Sequence, residues 1–251
     1  MNTSFSRIAI QVAVPQELAP LRRLLGATAG PEGLRRWSAA AAQVGDREVL
    51  LLASGMGARR AAECAAAVLD HWRPDLLLPA GVAGALSATL RIGDLVVADA
   101  VLSGEEWLRA SLVPKLTSKG AHTRSGGLLS QDQVLIDASE KRAAAVEPLL
   151  AVEMETAAAA RLAIEKGVAW AAVRAVSDTA DESLPLDFNL LRDESGDLPT
   201  ARVALAALRR PGSIPGLVRL GGNTSRAAAA LAAALQGWLD AGCPARLAAP
   251  R

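Results

Sequence analysis

Two short stretches carry acids to the ends of apolar segments. The first, AVEMETAAAARLAIEKG (151–167), sets Glu153 and Glu155 around Met154, and the second, VRAVSDTADE (173–182), is an apolar run that stops at Ser177 and Asp178. Carboxylates so placed can complement a helix dipole, which is worth about 0.3–1 kcal/mol. They can also accept hydrogen bonds from vicinal hydroxyls such as those of a sugar. If partly desolvated, they can hold a proton near neutral pH and act as a general acid. Glu153 and Glu155 fall at a strand-to-helix junction, and at most one of them has to face a cleft. For Ser177 and Asp178 the competing reading is a cap or turn shared with Asp181 or Glu182. A third acid, Glu17, stands just past the first apolar run and also reads as a solvated helix-start glutamate.

Glycines mark two further points. SGMGARR (54–60) joins an apolar run to a helical pattern, so backbone N–H groups near Gly57, with Arg59 or Arg60, could hold an anion; an ordinary tight turn explains it equally. It lacks the third glycine of a dinucleotide fingerprint and the GK[ST] of a P-loop. PAGVAGAL (79–86) brings Val82, Ala83 and Gly84 close behind another apolar run and allows backbone to approach a flat ligand.

These residues depend on elements that the apolar pattern predicts. RIAIQVAV (7–14) reads as a buried strand, followed by a short helix over ELAPLRRLL. RRWSAAAAQV and REVLLLAS flank a hairpin at Gly45-Asp46, and a helix follows from Ala58 to about His71. DLLLPAG and GDLVVADAVL predict strands, residues 103–130 a loop or flap, and 137–147 a helix. LLAV predicts a short strand, METAAAARLAIEK a helix closed by Gly167, and VAWAAVRAVS (168–177) one long strand. From Thr200 the pattern is helical in three pieces, broken at RPGSIPG and GGN. The pattern indicates one three-layer α/β domain over 1–251, with a mixed central sheet flanked by helices and a helical C-terminal extension from about 199. Ligands of such sheets bind beyond the carboxyl ends of the strands, where the acids and glycines gather.

Composition narrows the partners. A net charge of +1, with no Tyr and 3% aromatics, argues against nucleic acid. Cys64 and Cys243 are read as free thiols, and with only His71 and His122 no zinc cluster is expected. The short apolar run near the N-terminus lacks a basic leader and no stretch reaches membrane-span length, so a soluble, cytoplasmic protein is expected. Trp107, Trp170 and Trp238 suit either a subunit interface or the core. The arginines between 202 and 226 read as a solvated helical layer, with a lipid-facing surface as the alternative.

In order along the chain, GMG, AGVAGALSATLRIGDLVVADAV, VEMETAAAARLA and VRAVSDTAD resemble the nucleoside phosphorylase and nucleosidase superfamily over roughly residues 7–182. The family includes methylthioadenosine/S-adenosylhomocysteine nucleosidases. The segment ESLPLDFNLLRDESGDLP, with ALRRPGSIPGLVRL after it, is similar to a subgroup associated with hopanoid biosynthesis that is thought to remove adenine from adenosylhopane. The resemblance implies cleavage of the N-glycosidic bond of a purine nucleoside with no cofactor, and a homodimer or higher homo-oligomer.

Residue by residue, it implies Asp178 as general acid toward the base, with Ser177 beside it, and Glu155 with Met154 on the ribose. It also implies Glu153 in a supporting place, Glu17 activating water, and Val82, Ala83, Gly84, Val134 and Leu135 lining the pocket. The family's phosphorylases carry arginine and threonine around the second glycine segment. Here Pro79, Ala80 and Val82 stand there, so hydrolysis is favoured over phosphorolysis, in which inorganic phosphate would be co-substrate near Gly57 and Arg59. A nucleoside-binding protein without catalysis is the remaining alternative.

Overall fold

A computed structural model of the chain describes residues 5–117, 120–193 and 198–247. In chain order the elements are β1 (Arg7–Val12), α1 (Pro15–Leu24), β2 (Thr28–Ala29), β3 (Ala40–Val44), β4 (Arg47–Ala53), α2 (Ala58–His71), β5 (Leu76–Ala85) and β6 (Leu95–Ser103). They continue with β7 (Glu106–Arg109), β8 (Leu112–Pro114), β9 (Thr123–Ser130), α3 (Ala138–Ala144), β10 (Leu149–Glu153), α4 (Thr156–Glu165), β11 (Ala169–Trp170), β12 (Val173–Asp178), α5 (Thr200–Arg209), α6 (Ile214–Asp240) and β13 (Ala245–Leu247).

The main sheet runs β10-β9-β6-β12-β5-β1-β4-β3-β2. β1, β4, β5 and β12 are parallel where they pair, and β3 meets β4 antiparallel through the Gly45-Asp46 turn, so the sheet is mixed. β10 pairs with β9 and also, antiparallel, with β5. That second pairing closes β5, β12, β6, β9 and β10 into a ring, which leaves no free edge on this side.

Alternation along each strand divides the core in two. Ile8, Ile10 and Val12 of β1 pack with Leu18 and Leu21 of α1 and with Leu231, Leu235 and Trp238 of α6. Ala9 faces the other way, with Leu50, Leu52 and Leu77, against Cys64 and Val68 of α2 and Ala159 and Ala163 of α4. The alanines let α2 and α4 lie close to the sheet. Both cysteines are free and buried, and burial pushes the Cys64 thiol up to about 12. Trp170 and Trp238 are core residues, and Trp107 is partly exposed. Among the described residues no helix is long and apolar enough to cross a membrane.

Several sequence expectations are corrected. Residues 35–37 belong to a 3₁₀ turn (Glu32–Trp37) ahead of β3. The stretch 103–130, expected as a flap, holds β7, β8 and β9, and residues 118–119 lie outside the described residues. β9 is poor in side-chain signal because Gly126 and Gly127 fit against Leu149, Leu150 and the Pro148 carbonyl, where a Cβ has no room. The expected long strand 168–177 breaks at Ala171-Ala172 into β11 and β12, both against β5. Finally, GGN does not interrupt α6. Buried Asn223, Ala227 and Leu231 tie this part of the helix to the core and offset the low helix propensity of Gly221 and Gly222.

Candidate active site

The carboxyl ends of β1, β9, β10 and β12 and the second half of β5 open onto one cavity of about 560 Å³. It is lined by Glu17, Val82, Ala83, Gly84, Val134, Leu135, Glu153, Met154, Glu155, Ser177 and Asp178. Thus three acids from segments up to 161 residues apart in sequence, Glu17, Glu155 and Asp178, share a space.

The glycines act differently from the sequence expectation. β5 does not end in a turn at PAGVAGAL but runs on through it to Ala85. Gly81 has φ +142°, and a Cβ there would lie 2.7 Å from Arg174 Nη1 and 3.1 Å from Glu17 Oε2. At Gly84 the added carbon would lie 2.9 Å from Asp178 Oδ2. These two glycines make room for the chain's own charged groups.

Glu17 begins α1 and turns back into the sheet. Its carboxylate accepts from the N–H of Ala13 at 3.1 Å, Val14 at 3.4 Å and Val82 at 3.2 Å. Burial raises its pKa above the usual range, opposed by the nearby Arg174 charge and by those N–H donors. The group is therefore buried, not a solvated helix-start acid.

Glu153 and Glu155 have separate tasks. Glu153, the last residue of β10, accepts from the N–H of Glu155 (3.0 Å) and Thr156 (2.9 Å) and from the Thr156 hydroxyl (2.7 Å), capping α4. It also forms a buried ion pair with Arg174, whose second partners are the Thr156 hydroxyl at 2.8 Å and the Ala80 carbonyl at 3.2 Å. Glu155 reaches further: its Oε1 accepts from Gly57 N–H at 2.9 Å, at the start of α2, and its Oε2 lies 3.5 Å from Arg174. Burial pushes the Glu155 carboxyl up to about 7; Arg174 and the Gly57 N–H oppose the rise, and Glu153 and Glu17 add to it.

Asp178 ends β12. Its Oδ1 accepts from the Ser177 hydroxyl at 2.7 Å, and its Oδ2 pairs with the ammonium of Lys141 from α3. Lys141 is itself fully buried, and its other hydrogen bonds go to the carbonyls of Thr179 (3.0 Å) and Glu182 (2.9 Å). A helix-capping role for Asp178 is thereby ruled out.

The proposed phosphate pair does not form. Gly57 spends its N–H on Glu155, the neighbouring Ala58 N–H lies 3.3 Å from Asp132, and Arg59 is bonded to Glu63 at 2.8 Å, outside the cavity lining.

Sequence reasoning missed Arg174, Lys141 and Asn189. Arg174 had a visible signal, a lone cation inside an apolar strand, which must find an anion when buried. Asn189 holds both polar groups of the Val134 backbone, at 2.9 Å each, so that Val134 keeps its place in the wall. The far wall, Leu198, Val203, Leu217 and Leu220, comes from α5, α6 and the segment before them.

Comparison with known proteins follows this geometry. The family model described as the phosphorylase superfamily matches residues 7–115 and 105–209. A 5′-methylthioadenosine/S-adenosylhomocysteine nucleosidase of Geobacillus kaustophilus is 29% identical over 175 residues, 56% of this chain and 71% of that protein. One of an Exiguobacterium species is 27% identical over 195 residues, 66% and 82% of the two chains. Among solved structures, the Helicobacter pylori enzyme of the same name, complexed with a pyrrolidinol compound, superposes with a TM-score of 0.71 at 19% identity, covering 94% of this chain and 98% of that one. The futalosine hydrolase of the same organism gives 0.70 at 18% identity, with 94% and 98% covered. At these identities the structural likeness is one of fold.

Proposed function

Because the chain belongs to the phosphorylase superfamily, we propose that it hydrolyses the N-glycosidic bond of a purine nucleoside and releases adenine. One observation carries the choice of water over phosphate: the charged residues lining the cavity are four acids and one lysine, and that lysine is paired with Asp178. Glu153 is likewise paired, with Arg174, so among the described residues no unpaired cation lines the cavity to hold a dianionic co-substrate, whereas an ionised Glu155 stabilises a sugar that becomes cationic as its bond breaks. The nucleosidase names of the curated relatives support the same reading, and adenine is the base those names imply.

In this mechanism Asp178 hands a proton to N7 of the purine as the bond from the sugar carbon to N9 breaks, and the bonding pair stays with the base. Lys141, in contact with the same carboxylate, orients it toward the cavity, and Asp178 regains its proton from solvent between turnovers. Glu155, ionised, accepts the sugar hydroxyls and faces the oxocarbenium-like ring. Water adds to the exposed carbon and passes its proton to Glu17, whose buried carboxylate is suited to take one. The apolar wall of Leu198, Val203, Leu217 and Leu220 fits an apolar substituent on the sugar, in keeping with the resemblance of the C-terminal segment to the hopanoid-associated subgroup.

The test is adenine release from 5′-methylthioadenosine with and without phosphate. Equal rates and a free sugar product are expected, with Asp178→Asn lowering kcat by about 10²–10⁴-fold. Strict dependence on phosphate, with a sugar 1-phosphate formed, would establish phosphorolysis instead.

A further inference from the structure

The segment from Leu198 to Leu239 contains five arginines and no Asp, Glu, Lys or His. It therefore carries +5 in a chain whose net charge is +1, and the remaining residues sum to −4. The apolar surface is concentrated in the same place. Of the ten large apolar side chains exposed among the described residues, four (Leu205, Leu208, Ile214 and Val218) fall between 205 and 218, with Leu208 at 75% and Val218 at 71% exposure. Leu205 and Leu208 are three apart on α5, and Ile214 and Val218 four apart on α6, so each pair shares a helix face. Their neighbours Val203, Leu217 and Leu220 face the cavity, which leaves these four with no role in its wall.

Exposed apolar side chains bordered by cations, on a segment with no anion of its own, match one partner chemistry closely. Apolar groups enter the boundary between headgroups and acyl chains while arginines meet lipid phosphates. Arg209 and Arg210 stand exposed at the turn between the helices, Arg202 is exposed on α5, and Arg219 lies 3.4 Å from Glu182. A second copy of the chain fits poorly, because a two-fold contact would set this +5 surface against itself. With no membrane-spanning helix among the described residues, contact would be peripheral.

We propose that the α5–α6 corner docks on the surface of an anionic phospholipid bilayer, with Leu205, Leu208, Ile214 and Val218 inserted and Arg209 and Arg210 on the headgroups. This stands independently of the reaction catalysed, and its test reads no turnover. The purified protein is sedimented with vesicles of mixed phosphatidylglycerol and phosphatidylcholine, or of phosphatidylcholine alone, at low and high salt. Pelleting with the anionic vesicles at low salt, weakened by high salt, is expected. Arg209→Gln with Arg210→Gln should weaken it by about thirtyfold, and Leu205→Glu with Leu208→Glu should abolish it, both variants keeping the wild-type melting curve. Absence of pelleting with anionic vesicles overturns the proposal, as does pelleting that survives both double variants. So does light scattering that shows Leu205→Glu with Leu208→Glu dissociating a wild-type dimer, since the face would then be an interface between copies.

Discussion

Glu155 and Glu153 sit two residues apart, yet the protein treats them as different chemicals. Glu153 is locked against Arg174 and the start of α4, whereas Glu155 is buried with a single N–H donor and a carboxyl pushed up to about 7. A folded-state value above the ordinary 4.5 means the native protein holds this proton more tightly than the unfolded chain does. The corresponding stability is complete below about 4.5 and is lost as pH rises to about 7. Glu155→Gln removes that loss. Its melting temperature should exceed wild type at pH 8, by the equivalent of up to about 3 kcal/mol, and show no such gain at pH 4.5. Turnover should fall by about 10²–10³-fold, because the amide cannot supply the negative charge. Glu153→Gln should act the other way, lowering stability by about 3–5 kcal/mol by leaving Arg174 buried with a weakened partner. A Glu155→Gln protein no more stable than wild type at pH 8 would refute the burial argument. Arg174 was open to reading from the sequence as a cation in an apolar run. Lys141 was not: its helix ASEKRAA has no large apolar residue to mark a buried face, and what buries the lysine is the end of β12, 37 residues away.

At the scale of elements, strands β1 and β4, the first half of β5 and helix α2 were legible because each is a continuous or cleanly periodic apolar pattern, although the glycine that suggested an end for β5 lies inside it. β7 to β9 were not: β7 is only four residues long and mostly exposed, β8 pairs with the remote β13, and two glycines replace the side chains that would have marked β9. Glycines also separate positioning from stability. Gly84→Ala would push a carbon against the Asp178 carboxylate and should cut kcat by at least about tenfold, the effect of displacing a proton donor from its reach. Gly222, in the middle of α6 and exposed, meets nothing within 4 Å of an added Cβ, so Gly222→Ala should stabilise the protein by about 0.5–1 kcal/mol without changing turnover. Chemical denaturation with parallel kinetics on both variants distinguishes the two effects.

For the whole molecule, one helix serves both core and cavity. The C-terminal part of α6 buries Leu231, Leu235, Trp238 and Leu239 on the sheet, and its first turns wall the site. Trp238→Ala should therefore cost about 3–5 kcal/mol and lower the denaturation midpoint for the entire fold; a separate, earlier transition for the C-terminal helices would show that they are independent of the core. The α/β class and its carboxyl-edge site followed from sequence because apolar alternation and acid placement are local. Closure of the strands through the β5–β10 pairing is not, since it depends on a contact between residues 84 and 152.

The cavity walls differ in how firmly they are held. The amides of Ala13 after β1, Gly57 at the start of α2 and Val82 within β5 are tied to buried carboxylates, while no described side chain of α5 is fully buried. Local opening follows the places with least buried contact. Amide exchange should therefore be faster along α5 than at Ala13, Gly57 and Val82, which would place the yielding side of the cavity opposite its acids.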